Sequence, residues 1–359
     1  MNISLHPFTL KLKDSFRISY ESRDEQEALV IQLSDTDKHG NQVAGLGEST
    51  ANNYYQVSVE RMQDEVDSVR EIIKEYSLSN QPLEADEVGT PEHFWKQLLP
   101  HLPQSPFTLC ALDIAAHDLY GKKIGQPLYQ LWKLNPADAP ITNYTIGIDS
   151  IEVMVRKMKA KPWPIYKIKL GTPEDLAIVG ELRKHTDALF RVDANCAWGV
   201  EETIENSQEL KKLGVEFIEQ PLKADNWDGM KEVYQNSDLP LMADESCIVE
   251  SDVAKCEGLF HGINIKLTKC GGITPARRMI QEARQRNMKV MIGCMTESTV
   301  GISAIAHLSP SLDYVDMDGA MLLAEDIATG VIITPNEVHF PDENGTGVQL
   351  SALSNLSSI

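Results

Sequence analysis

Five short segments, YKIKLG (166–171), LFRVDAN (189–195), VEFIEQP (215–221), LPLMADES (239–246) and GINIKL (262–267), each carry a charge at the end of an apolar run. The charges are Lys169, Asp193, Glu219, Asp244 and Lys266, at steps of 24, 26, 25 and 22 residues. Each step is close to the length of one strand–helix unit. If the apolar runs fill the interior of a barrel, every charge falls where a strand finishes. That is the catalytic face of a (β/α) barrel.

Working outward, apolar strands alternate with amphipathic helical stretches from about residue 140. The expected strands are Tyr144–Ile148, Tyr166–Leu170, Leu189–Asp193, Phe217–Glu219, Leu241–Asp244, Gly262–Leu267, Lys289–Ile292 and Tyr314–Met317. Eight strands with helices between them make a parallel α/β sheet, most naturally closed. The N-terminal third reads differently. Phe8–Leu12, Ala28–Leu33 and Val43–Thr50 suggest an antiparallel meander, and Val59, Met62, Val66, Val69 and Ile73 step along one helical face. A second helix is expected over Ser105–Tyr120, opened by Ser-Pro and stopped by Gly121. The reading is an α+β capping unit (1–120), a barrel (121–330) and a tail (331–359) whose VIITP strand folds back on the N-terminal unit.

With 33 Lys and Arg against 53 Asp and Glu, the net charge is −20. A body this negative repels phosphate backbones and anionic membranes, so neither nucleic acid nor membrane is an expected partner. Hydrophobic residues at 42% supply a core and exclude disorder as the main state. The opening MNISLHPFTLKLKDSF reads as neither a secretory signal nor a span, and Cys110, Cys196, Cys247, Cys256, Cys270 and Cys294 form no C-x-x-C pair. Free thiols in a reducing cytoplasm are the expectation.

A single Asp after a strand is ordinarily a helix cap, and a single strand Lys ordinarily snorkels to solvent. Three converging carboxylates are different. Asp193, Glu219 and Asp244 would repel one another by several kcal/mol in a partly buried site, so a hard cation is the natural neutraliser, Mg²⁺ or alternatively Mn²⁺. Lys169 and Lys266, on the second and sixth strands, would then face a substrate from opposite walls. One lysine can take an α-proton and the other return one to the opposite face, while the cation stabilises the enediolate between them.

The pattern KIK, VDAN, IEQP, ADES and NIKLTKCGG resembles the enolase superfamily, within it the muconate-lactonizing subgroup. GLGEST (45–50) resembles the cap loop that closes over the family's active site, and Ala111–Trp132 resembles the segment joining its cap to its barrel. The resemblance implies a modified TIM barrel with a capping domain completed by the C-terminal tail. It makes Asp193, Glu219 and Asp244 metal ligands, Lys169 and Lys266 the acid/base pair, and Lys167 an electrostatic support for Lys169.

The eighth strand narrows the reaction. YVDMDGAMLL places Asp316 and Asp318 two apart, on one face if the segment is extended. The D-x-D motif resembles that of dipeptide epimerases, where it holds the substrate's free amine. The expectation is a dipeptide epimerase, such as one acting on L-Ala-D/L-Glu, inverting the α-carbon of the C-terminal residue. By family analogy it would serve peptidoglycan recycling, and such barrels commonly form homo-oligomers. A cycloisomerase, an o-succinylbenzoate synthase or an N-acylamino acid racemase on the same site stays open, as does a non-catalytic barrel. Thr145 matches a substrate-contacting position, and Cys294, Met295 and Thr296, with Glu297 after them, should wall the pocket. Arg17 and Arg23 lie in the first cap loop, where a cation could pair with an acidic side chain. Tyr54 and Tyr55 could close a lid or simply pack the cap.

Overall fold

All eight expected barrel strands form, each within a residue or two of its expected ends. They are β4 (Tyr144–Ile146), β5 (Ile165–Lys169), β6 (Leu189–Asp193), β7 (Val215–Glu219), β8 (Leu241–Ala243), β9 (Gly262–Lys266), β10 (Lys289–Gly293) and β11 (Tyr314–Asp316). The computed structural model describes residues 1–18 and 21–351; Ser19, Tyr20 and the end of the expected tail, 352–359, lie outside the described residues. The strands are parallel and run in the order β11-β10-β9-β8-β7-β6-β5-β4. Side chains bridge β11 to β4 and nearly close the barrel. Met317 N donates to Thr142 Oγ1 (3.0 Å), Asn143 Nδ2 to Asp316 Oδ1 (2.6 Å) and Thr145 N to Asp318 Oδ2 (2.6 Å).

The interior differs from expectation. Ile168, Val192, Ile218, Ala243, Ile265, Ile292 and Val315 belong to the large apolar cluster formed with the surrounding helices. With a period of two, their neighbours point inward. Phe217, Met242 and Met291, with Tyr314, plug the barrel's interior, and Arg191 sits over the Phe217 and Tyr314 rings. One pleat further along, the inward positions are Lys169, Asp193, Glu219, Asp244, Lys266 and Asp316. Apolar residues therefore bind the sheet to its helices, and the charges occupy the inward face of the same strands.

In the cap, β1 (Asn2–Arg17), β2 (Ser22–Thr36) and β3 (Gln42–Thr50) pair antiparallel in that order, with Phe8 opposite Ala28. Helix α1 (Val59–Glu75) buries the five expected residues and is capped by Ser58, whose hydroxyl accepts from Arg61 N. Helix α2 (Pro91–Leu98) was not anticipated; it opens at a Thr90 cap and buries Phe94, Trp95 and Leu98. Helix α3 (Pro106–Ile124) runs past Gly121 and ends at Gly125, whose φ is +81°. Gly121 is a contact instead of a stop, because a Cβ there would meet Gly345 Cα at 2.6 Å.

GLGEST forms the end of the expected third cap strand, buried, and not the loop that its resemblance implied. Added Cβ atoms at Gly45 and Gly47 would lie 2.2 and 2.0 Å from the carbonyl oxygens of Ala115 and Ala111, so these glycines let α3 lie directly on β3. In the tail, Ile332–Ile333 pairs with Val338–His339, and Ile333, Val338 and Phe340 dock on the barrel cluster. The part that reaches the cap comes later, where Val348 packs with Val30 and Leu46. Among the described residues, no helix is long and apolar enough to cross a membrane.

Candidate active site

The inward charges meet at one end of the barrel. Asp193, Glu219 and Asp244, on or directly after consecutive strands, are essentially inaccessible and offer ligand oxygens within 4.8 Å of one another. Each is fixed from behind. Asp193 Oδ1 accepts from Asn195 N (2.9 Å), Glu219 Oε1 from Asn264 Nδ2 (2.7 Å), and Asp244 Oδ1 from Lys269 Nζ (2.5 Å). Their remaining oxygens turn to lysines: Asp193 Oδ2 lies 2.6 Å from Lys169 Nζ and Asp244 Oδ2 2.9 Å from Lys266 Nζ. Lys167 sits below, 3.1 Å from Asp193, 2.7 Å from Glu219 and 2.8 Å from Asp316.

Burial and mutual repulsion set the ionisation. Burial, then Asp193, pushes Glu219 up to about 7. Burial opposes ionisation of Asp193 and Asp244 too, yet the adjacent lysines hold both below the usual carboxylate range. Burial disfavours the Lys266 ammonium, but Asp244, Glu245 and Glu219 together outweigh it and hold the group well above the ordinary lysine range. This is the reverse of a base made ready by a neighbouring cation. The cause is visible: each carboxylate now serves as counter-ion to a lysine, a role it gives up once it ligates a cation.

The donor set fits a divalent metal. All three groups are carboxylates, as Mg²⁺ prefers, and their shared position on β6, β7 and β8 leaves the opposite side open. One buried oxygen beside them, Glu245 Oε2, makes no hydrogen bond, and Glu219 Oε2 is met by the Lys167 ammonium at 2.7 Å. Glu245, which the sequence reading passed over, is pushed up to about 7 by burial and then by Asp244.

Above this floor lies a cleft, open to solvent, lined by residues of both cap and barrel. In the strand order, β5 and β9 are separated by β6, β7 and β8, so Lys169 and Lys266 stand on opposite walls. Both line the cleft. Asp316, Asp318, Thr145, Cys294, Met295, Thr296 and Arg23 also line it, whereas Arg17 is exposed at the end of β1 outside this lining. Glu297 turns away: it is buried, and its Oε1 accepts from Met295 N. The Tyr55 ring packs on Phe107 (5.5 Å), and Tyr54 stands edge-on to it, about half exposed.

The D-x-D pair meets differently from an extended strand. β11 ends at Asp316, and Asp318 opens a 3-10 turn over Gly319–Leu322. Asp316 is taken by Asn143 and Lys167, while Asp318 accepts from Thr145 N and, at 3.2 Å, Thr145 Oγ1. Burial, then Asp316, pushes Asp318 up to about 7, so the pair is short of positive charge. An ammonium group placed there would supply it.

Several supporting residues escaped the sequence reading. Gln220 is the most connected. Its Oε1 accepts from Asp244 N (2.9 Å) and Ser246 N (3.0 Å), and its Nε2 donates to Leu222 O and Ser246 Oγ (both 2.9 Å). Its backbone N donates to Met242 O and its carbonyl accepts from Cys196 N, both 2.9 Å. This one residue, held at φ +37°, thus ties the loops after β7 and β8 together through its side chain and reaches the loop after β6 through its carbonyl. The only hint in sequence was its place beside Glu219. Lys269 and Asn264 flank Lys266, and there the signal was period.

The family described as Enolase C-terminal domain-like matches residues 150–353. The chain is 57% identical over 350 residues to an L-Ala-D/L-amino acid epimerase of Flavobacterium johnsoniae, covering 98% of this chain and 100% of that one. It is 34% identical to an L-Ala-D/L-Glu epimerase of Bacteroides thetaiotaomicron, over 97% of this chain and 88% of the other. In structure it resembles the dipeptide epimerase of Enterococcus faecalis V583 complexed with Mg and the dipeptide L-Leu-L-Tyr, with a TM-score of 0.84, 27% identity, and 97% and 98% of the two chains covered.

Proposed function

The chain belongs to the enolase superfamily and is a Mg²⁺-dependent dipeptide epimerase, and from that premise we propose which of its residues carry the reaction. The observation that supports the assignment is the placing of Lys169 and Lys266 on opposite walls of one cleft, above a carboxylate floor. A single base could exchange a proton on one face only; inversion needs a proton donor on each side of the α-carbon.

Asp193, Glu219 and Asp244 hold the metal. Bound Mg²⁺ supplies positive charge that the substrate carboxylate needs as its α-proton leaves. Asp316 and Asp318 grip the free amine of the dipeptide, and Thr145 orients Asp318 through two hydrogen bonds. The amine and carboxylate are thus anchored on opposite sides, which sets the α-carbon of the C-terminal residue between the two lysines. Lys169 Nζ takes the proton from one epimer and Lys266 Nζ returns one to the opposite face; the roles exchange for the other epimer. Lys167, between Asp316 and the carboxylate floor, lowers the repulsion within that acidic layer.

Incubation with Mg²⁺ and L-Ala-L-Xxx dipeptides in D₂O tests this. Deuterium should enter the α-carbon of the C-terminal residue, with loss of stereochemical purity there. Wild-type exchange in both Lys169→Ala and Lys266→Ala would refute the two-base assignment.

A further inference from the structure

Apart from the two lysines, Arg23 is the only cation that lines the cleft among the described residues. It is already engaged. Nη2 pairs with Glu21 Oε2 and Nη1 donates to Gln26 Oε1. Both partners are themselves fixed. Gln26 is 4% exposed, and its Nε2 donates to Glu27 O (2.9 Å) and Ala51 O (2.8 Å), which leaves its oxygen aimed at the guanidinium. Asn53 Nδ2 holds the other oxygen of Glu21 at 3.2 Å. The arginine is therefore seated in a built cradle with a carboxylate inside it.

Tetrahedral geometry says which part of the substrate meets this wall. On the epimerase reading, the α-carbon has its carboxylate toward Asp193, Glu219 and Asp244, its amide nitrogen toward Asp316 and Asp318, and its hydrogen toward Lys169 or Lys266. One direction remains for the side chain, and it points at the cap. There the lining is Phe16, Ile18, Met295 and Leu322, with Asn52 beside Arg23.

We infer that the site selects dipeptides whose C-terminal side chain is uncharged, and that Glu21 is the residue that sets this preference by neutralising Arg23. A glutamate side chain would have to shed its water against a guanidinium whose charge is already met, next to a second carboxylate; a lysine side chain would meet the arginine. An apolar or small polar side chain loses nothing there and gains contact with the four apolar residues. The inference rests on the epimerase reading and goes further, since a free Arg23 would instead favour acidic side chains.

The test compares kcat/KM for exchange in D₂O with L-Ala-L-Leu, L-Ala-L-Met, L-Ala-L-Glu and L-Ala-L-Lys on the Mg²⁺-loaded enzyme. Leucyl and methionyl substrates should exceed both charged ones by about tenfold or more. Glu21→Gln, which frees the guanidinium, should raise the ratio of L-Ala-L-Glu to L-Ala-L-Leu by about tenfold. Arg23→Met leaves Glu21 as the uncompensated charge and should raise the ratio for L-Ala-L-Lys instead. Wild-type preference for L-Ala-L-Glu, or ratios that stay put in both variants, would overturn the inference while leaving the epimerase intact. No exchange with any dipeptide would remove the reading beneath it as well.

Discussion

The molecule buries two sets of carboxylates equally deeply and uses them for opposite ends. Asp193, Glu219 and Asp244 lie at the mouth of the barrel and face ammonium groups. Asp113, Asp118 and Glu48 are just as inaccessible but face backbone N–H groups and hydroxyls. Asp113 accepts from Thr274 N and Oγ1 at 2.8 and 2.6 Å, at the start of the Ile273–Gln285 helix. Asp118 accepts from Leu46 N (2.8 Å) and Thr346 N (2.7 Å), and Lys122 adds an ion pair. Glu48, from the GLGEST strand, takes Ser298 N, Ser298 Oγ and Gly301 N at the start of the Thr299–Leu308 helix. The second set ties cap and tail to α3 and the barrel. Most of its donors are main-chain N–H groups, with hydroxyls beside them, so these carboxylates are locked. The first set, fixed from behind, turns its remaining oxygens to lysine ammonium groups, which a divalent cation can displace. Depth of burial therefore does not separate the two sets; the kind of partner does.

Lys266→Met should break the active side of this contrast most severely. Loss of general acid–base function at one face should cost about 10²–10⁴ in kcat, measured as epimerisation of L-Ala-L-Leu, with the fold retained by circular dichroism. Glu48→Ala attacks the locked side. It leaves several buried donors at a helix start unpaired, and unfolding in urea should show a loss of about 3 kcal/mol. The surviving folded protein should keep its Mg²⁺ affinity. If Glu48→Ala abolished metal binding while stability held, the division between the sets would fail.

Gln220→Leu should have a smaller and more selective effect, because it loosens the loops after Glu219 and Asp244 while leaving all three carboxylates in place. Mg²⁺ affinity by calorimetry should fall by about tenfold or more, and saturating Mg²⁺ should restore most of kcat. The smallest effect is a pH dependence. Asp318, at about 7, must be ionised to hold an ammonium group, so kcat/KM should rise with pH through this range. Asp318→Asn should remove that inflection and leave the response of Mg²⁺ binding to pH in place.

The two sets were not equally readable. Asp193, Glu219 and Asp244 each end an apolar strand at a repeating interval, and repetition is a signal one sequence can carry. Asp113 and Asp118 sat in a helix whose pattern showed only burial, and Glu48 sat in an expected cap strand that gave no sign of its partner. Their partners, Thr274, Thr346 and Ser298, lie 161, 228 and 250 residues away. Nothing local announces such a pairing. The same limit hid α2, whose short apolar face packs in the cap with α3, and Gln220, whose amide reaches Asp244 N and Ser246 N, 24 and 26 residues further on.

The sequence by itself determined the barrel, the five charges at its strand ends and the need for a cation among them, because strand period and element length are local properties that place side chains on known faces. Tertiary structure decided which face of each strand is apolar against the helices and how the β11–β4 seam is bridged. It also decided that Arg23 pairs with Glu21 and does not stand as a free charge. Those depend on which groups become neighbours when the chain closes on itself, and Coulomb energy and hydrogen bonding are set by distance in space rather than by distance along the chain.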